Sequence, residues 1–306
     1  MARSVLVTSP EEVLALSAEG VDRLLTELES SVPMRPAAVR LAPKGATSAM
    51  VFGDSHGDWR STGELVARFE AASPPVALVG LGDYIDRSPD DSPGGSAVNA
   101  LFLLSAAARY PDRVLLLRGN HELARRLGVG PHTLPKELVE LWGPDPARYD
   151  RLMGLLERGP LAATTRSGAF LSHAGFPRTL TGRDWESGLD PTDETTLREL
   201  TWAECDASRI RRGAIDPWGQ AELDRFLRGA GLSVLLRGHD PDLTGRPCCE
   251  GRVLTVHTCR FYERFGGVLF AALPLEGRLA SVEEIPLVHL ASEGKTFPRT
   301  PRPSVR

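Results

Sequence analysis

The chain is poor in lysine, in cysteine and in long apolar runs, and each shortage closes off a class of function. Lysine occurs only at Lys44, Lys136 and Lys295, so arginine carries nearly all of the positive charge, and the formal net charge over 306 residues is -4. That balance gives no general basic surface, and compositional support for a nucleic-acid partner goes with it. The only cysteines are Cys205, Cys248, Cys249 and Cys259. The adjacent pair is poorly placed for a disulfide and none stands in a Cys-x-x-Cys motif, so the four read as reduced thiols. No stretch approaches the ~20 apolar residues of a membrane span, and Met1 to Pro10 lacks the apolar core of a secretory signal. No membrane partner is expected, and the cytoplasm is the default residence. Internal repeats and low-complexity arrays are missing as well.

What is there belongs to a folded protein. Hydrophobic residues at 42% and charged residues at 25% sit near globular averages, which argues against disorder over most of the chain. The length admits two average domains, but layered α/β folds reach this size around one core. We expect residues 1–45 to be an N-terminal helical extension and linker, 46–293 the main domain, and 294–306, with three prolines and three arginines, a disordered tail. The heavy use of arginine, alanine, glycine and proline points to a GC-rich bacterial genome.

Taken in order, the chain repeats one device. Ser9-Pro10-Glu11-Glu12 reads as a helix start, with a split expected at Gly20, and Ser31 to Thr47 reads as a linker. The apolar run Ala49 to Phe52 then leads into Gly53-Asp54-Ser55-His56-Gly57-Asp58, ahead of an amphipathic segment from Glu64 to Phe69. Strand alternation cannot hide both Asp54 and His56 in a core, and a carboxylate and an imidazole two residues apart at a strand's carboxyl end can chelate one divalent ion. A second apolar run, Val76 to Leu81, ends in Gly82-Asp83-Tyr84-Ile85-Asp86-Arg87. After a helix expected over Val98 to Ala108, a third, Val114 to Leu117, ends in Arg118-Gly119-Asn120-His121-Glu122. Alternating strands and helices imply βαβ units, whose ligand sites lie beyond the strands' carboxyl ends. Leu123 to Arg158 reads as interrupted helix, a cap over one side of the cleft.

From Leu161 the pattern is strand-rich, with Ala169 to Ser172 ending at His173, Ser233 to Leu236 ending in Arg237-Gly238-His239-Asp240, Val253 to Val256 ending at His257, and last strands at Val268 to Leu273 and Val282 to Ile285. The acidic stretch Asp184 to Asp206 reads as a solvated loop and helix face. His132 and His289 match no motif and are given structural or surface roles, whereas His257 reads equally as a site residue and as a hydrogen-bonded strand-end histidine. Asp54, His56, Asp83, Asn120, His173 and His239 thus fall just after five separate strands, as expected if strand ends converge on one cleft. Carboxylate and amide oxygens mixed with imidazoles suit Mn²⁺, Fe or Zn²⁺, and the absence of cysteine among them argues against a structural zinc knot.

Gly53-Asp54-Ser55-His56-Gly57, Gly82-Asp83-Tyr84-Ile85-Asp86-Arg87, Gly119-Asn120-His121-Glu122, His173-Ala174-Gly175 and Arg237-Gly238-His239 resemble the ordered motifs of the phosphoprotein phosphatase family, within the calcineurin-like metallophosphoesterases. The resemblance spans about Met50 to Phe270. It implies an α/β fold of two facing mixed β-sheets flanked by helices, a four-layer α/β/β/α sandwich, with residues 46–293 as the catalytic domain. It further implies two divalent metal ions, Mn²⁺ first, with Asp54, His56 and Asp83 on one and Asp83, Asn120, His173 and His239 on the other. Two cations ~3.5 to 4 Å apart need a shared anionic ligand and make water a nucleophile near neutral pH. By the same resemblance His121 is the general acid oriented by Asp86, Arg87 holds phosphate oxygens, and Tyr262 closes the cleft over the substrate. A second phosphate-binding arginine is expected from Arg209, Arg211 or Arg212, with Arg212 favoured because Arg212-Gly213 resembles the family's Arg-Gly. Ser88 and Ala174 depart from the family's usual glycines; if the turn at Ser88 needs positive φ, serine strains it.

The implied activity is hydrolysis of phosphomonoesters, first of all phosphoserine or phosphothreonine in proteins. The enzymatic rival is hydrolysis of dinucleoside polyphosphates or other small phosphates on the same core, and the rival of another class is a non-catalytic module binding phosphorylated ligands.

Overall fold

The protein is described by a computed structural model that covers residues 4–180, 182–210 and 217–290. In chain order its described elements begin with α1 (Pro10–Leu14), α2 (Ala18–Ser31), β1 (Ala38–Arg40), β2 (Ser48–Phe52), α3 (Trp59–Ala71), β3 (Ala77–Gly80), α4 (Gly95–Arg109) and β4 (Val114–Leu116). Next come α5 (Ala124–Leu127), α6 (Leu134–Trp142), α7 (Pro146–Leu156), β5 (Ala162–Thr164), β6 (Ala169–Ser172), α8 (Glu194–Thr201) and α9 (Gln220–Ala230). The chain closes with β7 (Val234–Arg237), β8 (Pro247–Cys248), β9 (Val253–Thr255), β10 (Leu269–Pro274) and β11 (Leu287–His289). No described helix is long and apolar enough to cross a membrane.

Two mixed sheets face each other. One has the order β11-β10-β2-β3-β4, the other β1-β5-β6-β7-β9-β8. Between them lies an aliphatic layer that includes Val51, Val79, Leu115, Leu171, Leu236, Val256 and Ala271. Helices α2, α3, α4, α6 and α7 cover the outer face of the first sheet through a second core. Phe170, Trp185, Trp218 and Phe226 pack α8 and α9 onto the outer face of the other. This is the expected α/β/β/α sandwich. Strands β2, β3 and β4 run parallel, as do β6, β7 and β9. Each sheet therefore gathers three carboxyl ends at one edge, and the two edges meet. Helix α4 is apolar on almost every face and fully buried except near its end, as befits a helix enclosed by other helices and a sheet.

Three local expectations are corrected. The helix break falls at Ala15 to Ser17, not at Gly20, because the Ser17 side chain caps α2 by accepting from the Gly20 N–H at 3.1 Å. The stretch read as a linker contains β1, which pairs in parallel with β5 and so adds a strand to the second sheet. Val282 to Ile285 is not a strand. Its first three residues form a 3₁₀ turn, opened by Ser281 and Glu284 in a reciprocal capping box, and the strand is β11. The physical reason is spacing: Val282 and Ile285 are both buried, and positions three apart share a face in a 3₁₀ turn, whereas a strand would turn them to opposite sides. The expected tail 294–306 lies outside the described residues.

Candidate functional site

Where the two sheet edges meet, loops after β2, β3 and β4 supply Asp54, His56, Asp83, Asn120 and His121, and loops after β6, β7 and β9 supply His173, His239 and His257. The loops are stitched to each other by backbone hydrogen bonds. The N–H groups of Ser55 and His56 donate to the Asp83 carbonyl at 3.0 and 2.9 Å, Gly238 N–H donates to the His173 carbonyl at 2.9 Å, and Thr258 N–H donates to the Asp54 carbonyl at 3.0 Å. Such closeness excludes side chains. Gly82 sits at φ 104, where a Cβ would collide with the Gly119 backbone, and a Cβ on Gly238 would collide with the Asp54 carboxylate.

All six residues expected as metal ligands are buried and come together. Asp83 Oδ2 is their centre: it lies 3.6 Å from His56 Nε2, 3.4 Å from His173 Nε2 and 3.9 Å from His121 Nε2. Asp54 Oδ2 is 3.6 Å from His56 Nε2, while Asn120 Oδ1 and His239 Nδ1 approach His173 Nε2 at 3.0 and 3.3 Å. The ring nitrogens facing away are anchored, His56 Nδ1 on the Ile85 carbonyl at 2.8 Å and His173 Nδ1 on the Leu81 carbonyl at 3.1 Å. With those bonds made by N–H, the inward nitrogens keep their lone pairs for a cation. Two triads, His56-Asp83-His121 and Asp54-Asp83-His173, each hold their ligand atoms within 4.8 Å of one another and share Asp83. Hard oxygens and imidazoles converging on one carboxylate fit divalent cations.

Electrostatics keep the acids ionised. Burial pushes the Asp54 carboxyl up, but His257 first, then His56 and His173, outweigh it and hold it well below the usual carboxylate range. Burial likewise opposes ionisation of Asp83, and His173 and His121 overcome it. Behind them, the Glu122 carboxylate accepts from the backbone N–H groups of Asp83, Tyr84 and Gly119 at 2.7 to 2.8 Å, clamping the second loop to the third. Burial and the nearby Asp83 charge push its carboxyl up to about 8.

His121 Nδ1 is 2.6 Å from Asp86 Oδ2, and its Nε2 is buried without a hydrogen-bond partner. Asp86 also accepts from the Thr133 N–H at 2.7 Å and meets His132 Nδ1 at 3.0 Å; burial alone would raise its pKa, but the bonds from His121 and then His132 drive it far below normal. His132 in turn meets Tyr149 Oη at 3.0 Å through Nε2. Of the structural or surface roles given to His132 the structural one agrees with these contacts: it is the second imidazole on the same carboxylate. No local motif marks it, because the 46 residues that separate it from Asp86 are closed only by the loop ahead of α6.

Arg87 points its Nη1 at Tyr262 Oη, 2.9 Å away, with His56 Nε2 at 3.4 Å. Tyr262 lies over His56 and His257, with ring centroids 5.6 and 5.0 Å apart. His257 meets both descriptions left open for it: its Nε2 is 3.3 Å from Asp54 Oδ2, beside the site, and its Nδ1 is 2.9 Å from Thr244 Oγ1, as in a hydrogen-bonded strand-end histidine. Arg260, with Nε 3.1 Å and Nη2 2.8 Å from the Asp58 carboxylate, ties the tyrosine's segment to the start of α3. Of Arg209, Arg211 and Arg212, among which a second phosphate-binding guanidinium is expected, Arg211 and Arg212 lie outside the described residues, and Arg209 is exposed with its backbone N–H donating to the Asp242 carboxylate at 2.7 Å. Ser88 is not among the described residues with positive φ, so no strain arises there. His56, Asp83, Asp86, Arg87 and His239 are, so five of the seven described non-glycine residues with positive φ stand at the site, the other two being Cys249 and Glu250.

A family model described as calcineurin-like phosphoesterase matches residues 47–243. Among solved structures, a protein serine/threonine phosphatase from Saccharomyces cerevisiae is similar at a TM-score of 0.72 and 20% identity, over 95% of this chain and 93% of that one. A cold-active protein-tyrosine phosphatase from a Shewanella species is similar at a TM-score of 0.57 and 15% identity, over 87% of this chain and 84% of that one.

Proposed function

Because this chain belongs to the calcineurin-like phosphoesterase family, we propose that it is a metal-dependent phosphatase of phosphomonoesters, with phosphoserine and phosphothreonine in proteins as its first substrate class. The observation that carries the reading is the convergence of His56, His173 and His121 on Asp83 Oδ2, with the His121–Asp86 pair at the same point. Asp54, His56 and Asp83 would hold one divalent cation and Asp83, Asn120, His173 and His239 a second, Mn²⁺ being the expected ion. Such cations supply Lewis-acid charge to the phosphoryl oxygens and to the attacking water.

The chain's own groups do the rest. Arg87, already turned toward His56, holds phosphate oxygens and offsets the charge that grows on them. Tyr262 fixes that guanidinium through its hydroxyl and walls the cleft. His121 gives a proton from Nε2 to the leaving oxygen, while Asp86 holds Nδ1–H and stabilises the imidazolium. His257 steadies the carboxylate of Asp54. Cytoplasmic residence belongs to the same proposal.

His132 is a positioning residue here, since it reaches the reacting atoms only through Asp86. Replacing it with alanine is expected to lower kcat by roughly 10-fold with little change in KM. The loss should be larger for alkyl than for activated aryl phosphates, because alkyl leaving groups depend far more on the proton from His121. A uniform loss across leaving groups would leave His132 a merely structural part.

The substrate class is tested by comparing Mn²⁺-supported kcat/KM on a phosphothreonine peptide and on a dinucleoside tetraphosphate. We expect the peptide to be favoured by ~100-fold, about 2.7 kcal/mol of transition-state stabilisation. A preference of that size for the dinucleotide would reassign the enzyme to small phosphates. Metal uptake without turnover of either would instead make it a module that binds phosphorylated ligands.

A further inference from the structure

Outside the catalytic cleft, three of the four cysteines come together from two remote segments. Cys205 lies in the loop after α8, and Cys248 and Cys249 lie at the end of β8 in the tight hairpin to β9. Their sulfurs all lie within 4.8 Å of one another, and Cys205 Sγ is 3.9 Å from Cys249 Sγ. Ligands at a zinc–sulfur distance of ~2.3 Å in a tetrahedron stand about 3.8 Å apart, so the trio is close to the spacing such an ion imposes. Cys205 is fully buried while Cys248 and Cys249 are half-buried. Cys248 also lines a broad surface cavity with Ala207, Leu243 and Arg246, which gives an ion an entry path and leaves room for a fourth, exogenous ligand.

We propose that Cys205, Cys248 and Cys249 form a three-thiolate site for a thiophilic metal ion, with Zn²⁺ as the type ion, separate from the phosphatase centre. Soft thiolates select such ions over Mn²⁺, so the two centres need not compete for the same metal. Binding releases the thiol protons, and at Cys248 and Cys249 that release is opposed, because their bonds to Cys205 and then burial push both thiols up. The Cys205 thiol is pulled down by hydrogen bonds from Cys248 and then Cys249, and the nearby Arg237 guanidinium acts in the same direction. Arg237 is buried and paired with Asp240, whose carboxylate also accepts the Cys205 N–H at 3.2 Å. The site would therefore clip the loop of Cys205 to the β8–β9 hairpin beside the residues that flank His239. It does not depend on the catalytic reading, because none of its ligands belongs to the cleft.

The test uses the full chain, reduced and loaded with Mn²⁺, titrated with Co²⁺ as a spectroscopic stand-in for Zn²⁺. Thiolate-to-cobalt charge transfer appears only where sulfur binds the ion, so Co²⁺ in the oxygen-and-nitrogen cleft stays silent in that band. We expect a band that saturates at one equivalent, is erased by one equivalent of Zn²⁺, and persists in Asp83→Asn. In Cys248→Ser and Cys249→Ser, chosen because they are only half-buried, Co²⁺ should bind at least ~10-fold more weakly. No charge-transfer band in the unaltered protein would overturn the site, whatever the variants do. So would a band unchanged in Cys249→Ser, or the loss of two thiols to a disulfide with no metal taken up.

Discussion

Asp83→Asn is expected to remove both the response to metal and the activity. Three imidazole nitrogens lie 3.4 to 3.9 Å from Asp83 Oδ2. An amide group placed there would turn N–H donors toward lone pairs and withdraw the one anion shared by the two triads. The His121 N–H bond to Oδ1, at 3.0 Å, can survive in the amide, so local structure should hold. Turnover on a phosphothreonine peptide should fall by roughly 10³-fold, about 4 kcal/mol. The decisive measurement is melting temperature with and without Mn²⁺. An ion at 100 times its Kd stabilises the unaltered protein by about 2.7 kcal/mol, and that gain should vanish in the variant. Without metal the variant should melt somewhat below the parent, since His173 and His121 favour the Asp83 charge by more than burial opposes it, so the test compares the Mn²⁺-induced rise in each protein and not their absolute melting temperatures. A Mn²⁺-induced rise as large as the parent's would refute Asp83 as the shared ligand.

His121→Asn should behave differently. It deletes the proton donor but keeps the backbone that anchors Asp83, so metal-dependent stabilisation should persist. On phosphothreonine, whose alkoxide must be protonated as it leaves, kcat should drop on the order of 10³-fold. On an aryl phosphate with a stable phenolate the drop should be on the order of 10-fold, because that leaving group needs little help. Equal losses on both substrates would show that His121 orders the site but does not supply the proton. The contrast between the two variants separates the acids that gather charge from the imidazole that moves a proton.

The order of the motifs, their position after apolar strands and the identity of the six expected ligands are visible in the linear chain. The reason is local: a short buried strand followed by glycine and a polar residue has one way to present that residue, at the strand's carboxyl end. The glycines are legible for the same reason, and the collisions a Cβ would cause at Gly82 and Gly238 show what they prevent. Where a choice depended on contacts between distant segments, local reading failed. His132 lacks any motif, and only the fold of the loop before α6 sets it on Asp86. Val282 and Ile285 look like a strand until the Ser281–Glu284 caps and their burial on one face commit them to a turn. A linker became β1 because the β5 edge was open to it.

The amino-acid order alone thus determined which side chains are offered for chemistry, since spacing within a strand, a turn or a helix is fixed over a few residues. The packing of one sheet edge against the other decided which of them meet. It drew His257 to Asp54, paired Arg87 with Tyr262, and assembled the thiols of Cys205, Cys248 and Cys249. Those meetings join segments from more than 40 to more than 200 positions apart, where no local periodicity operates and only shared burial and shape complementarity specify the partner.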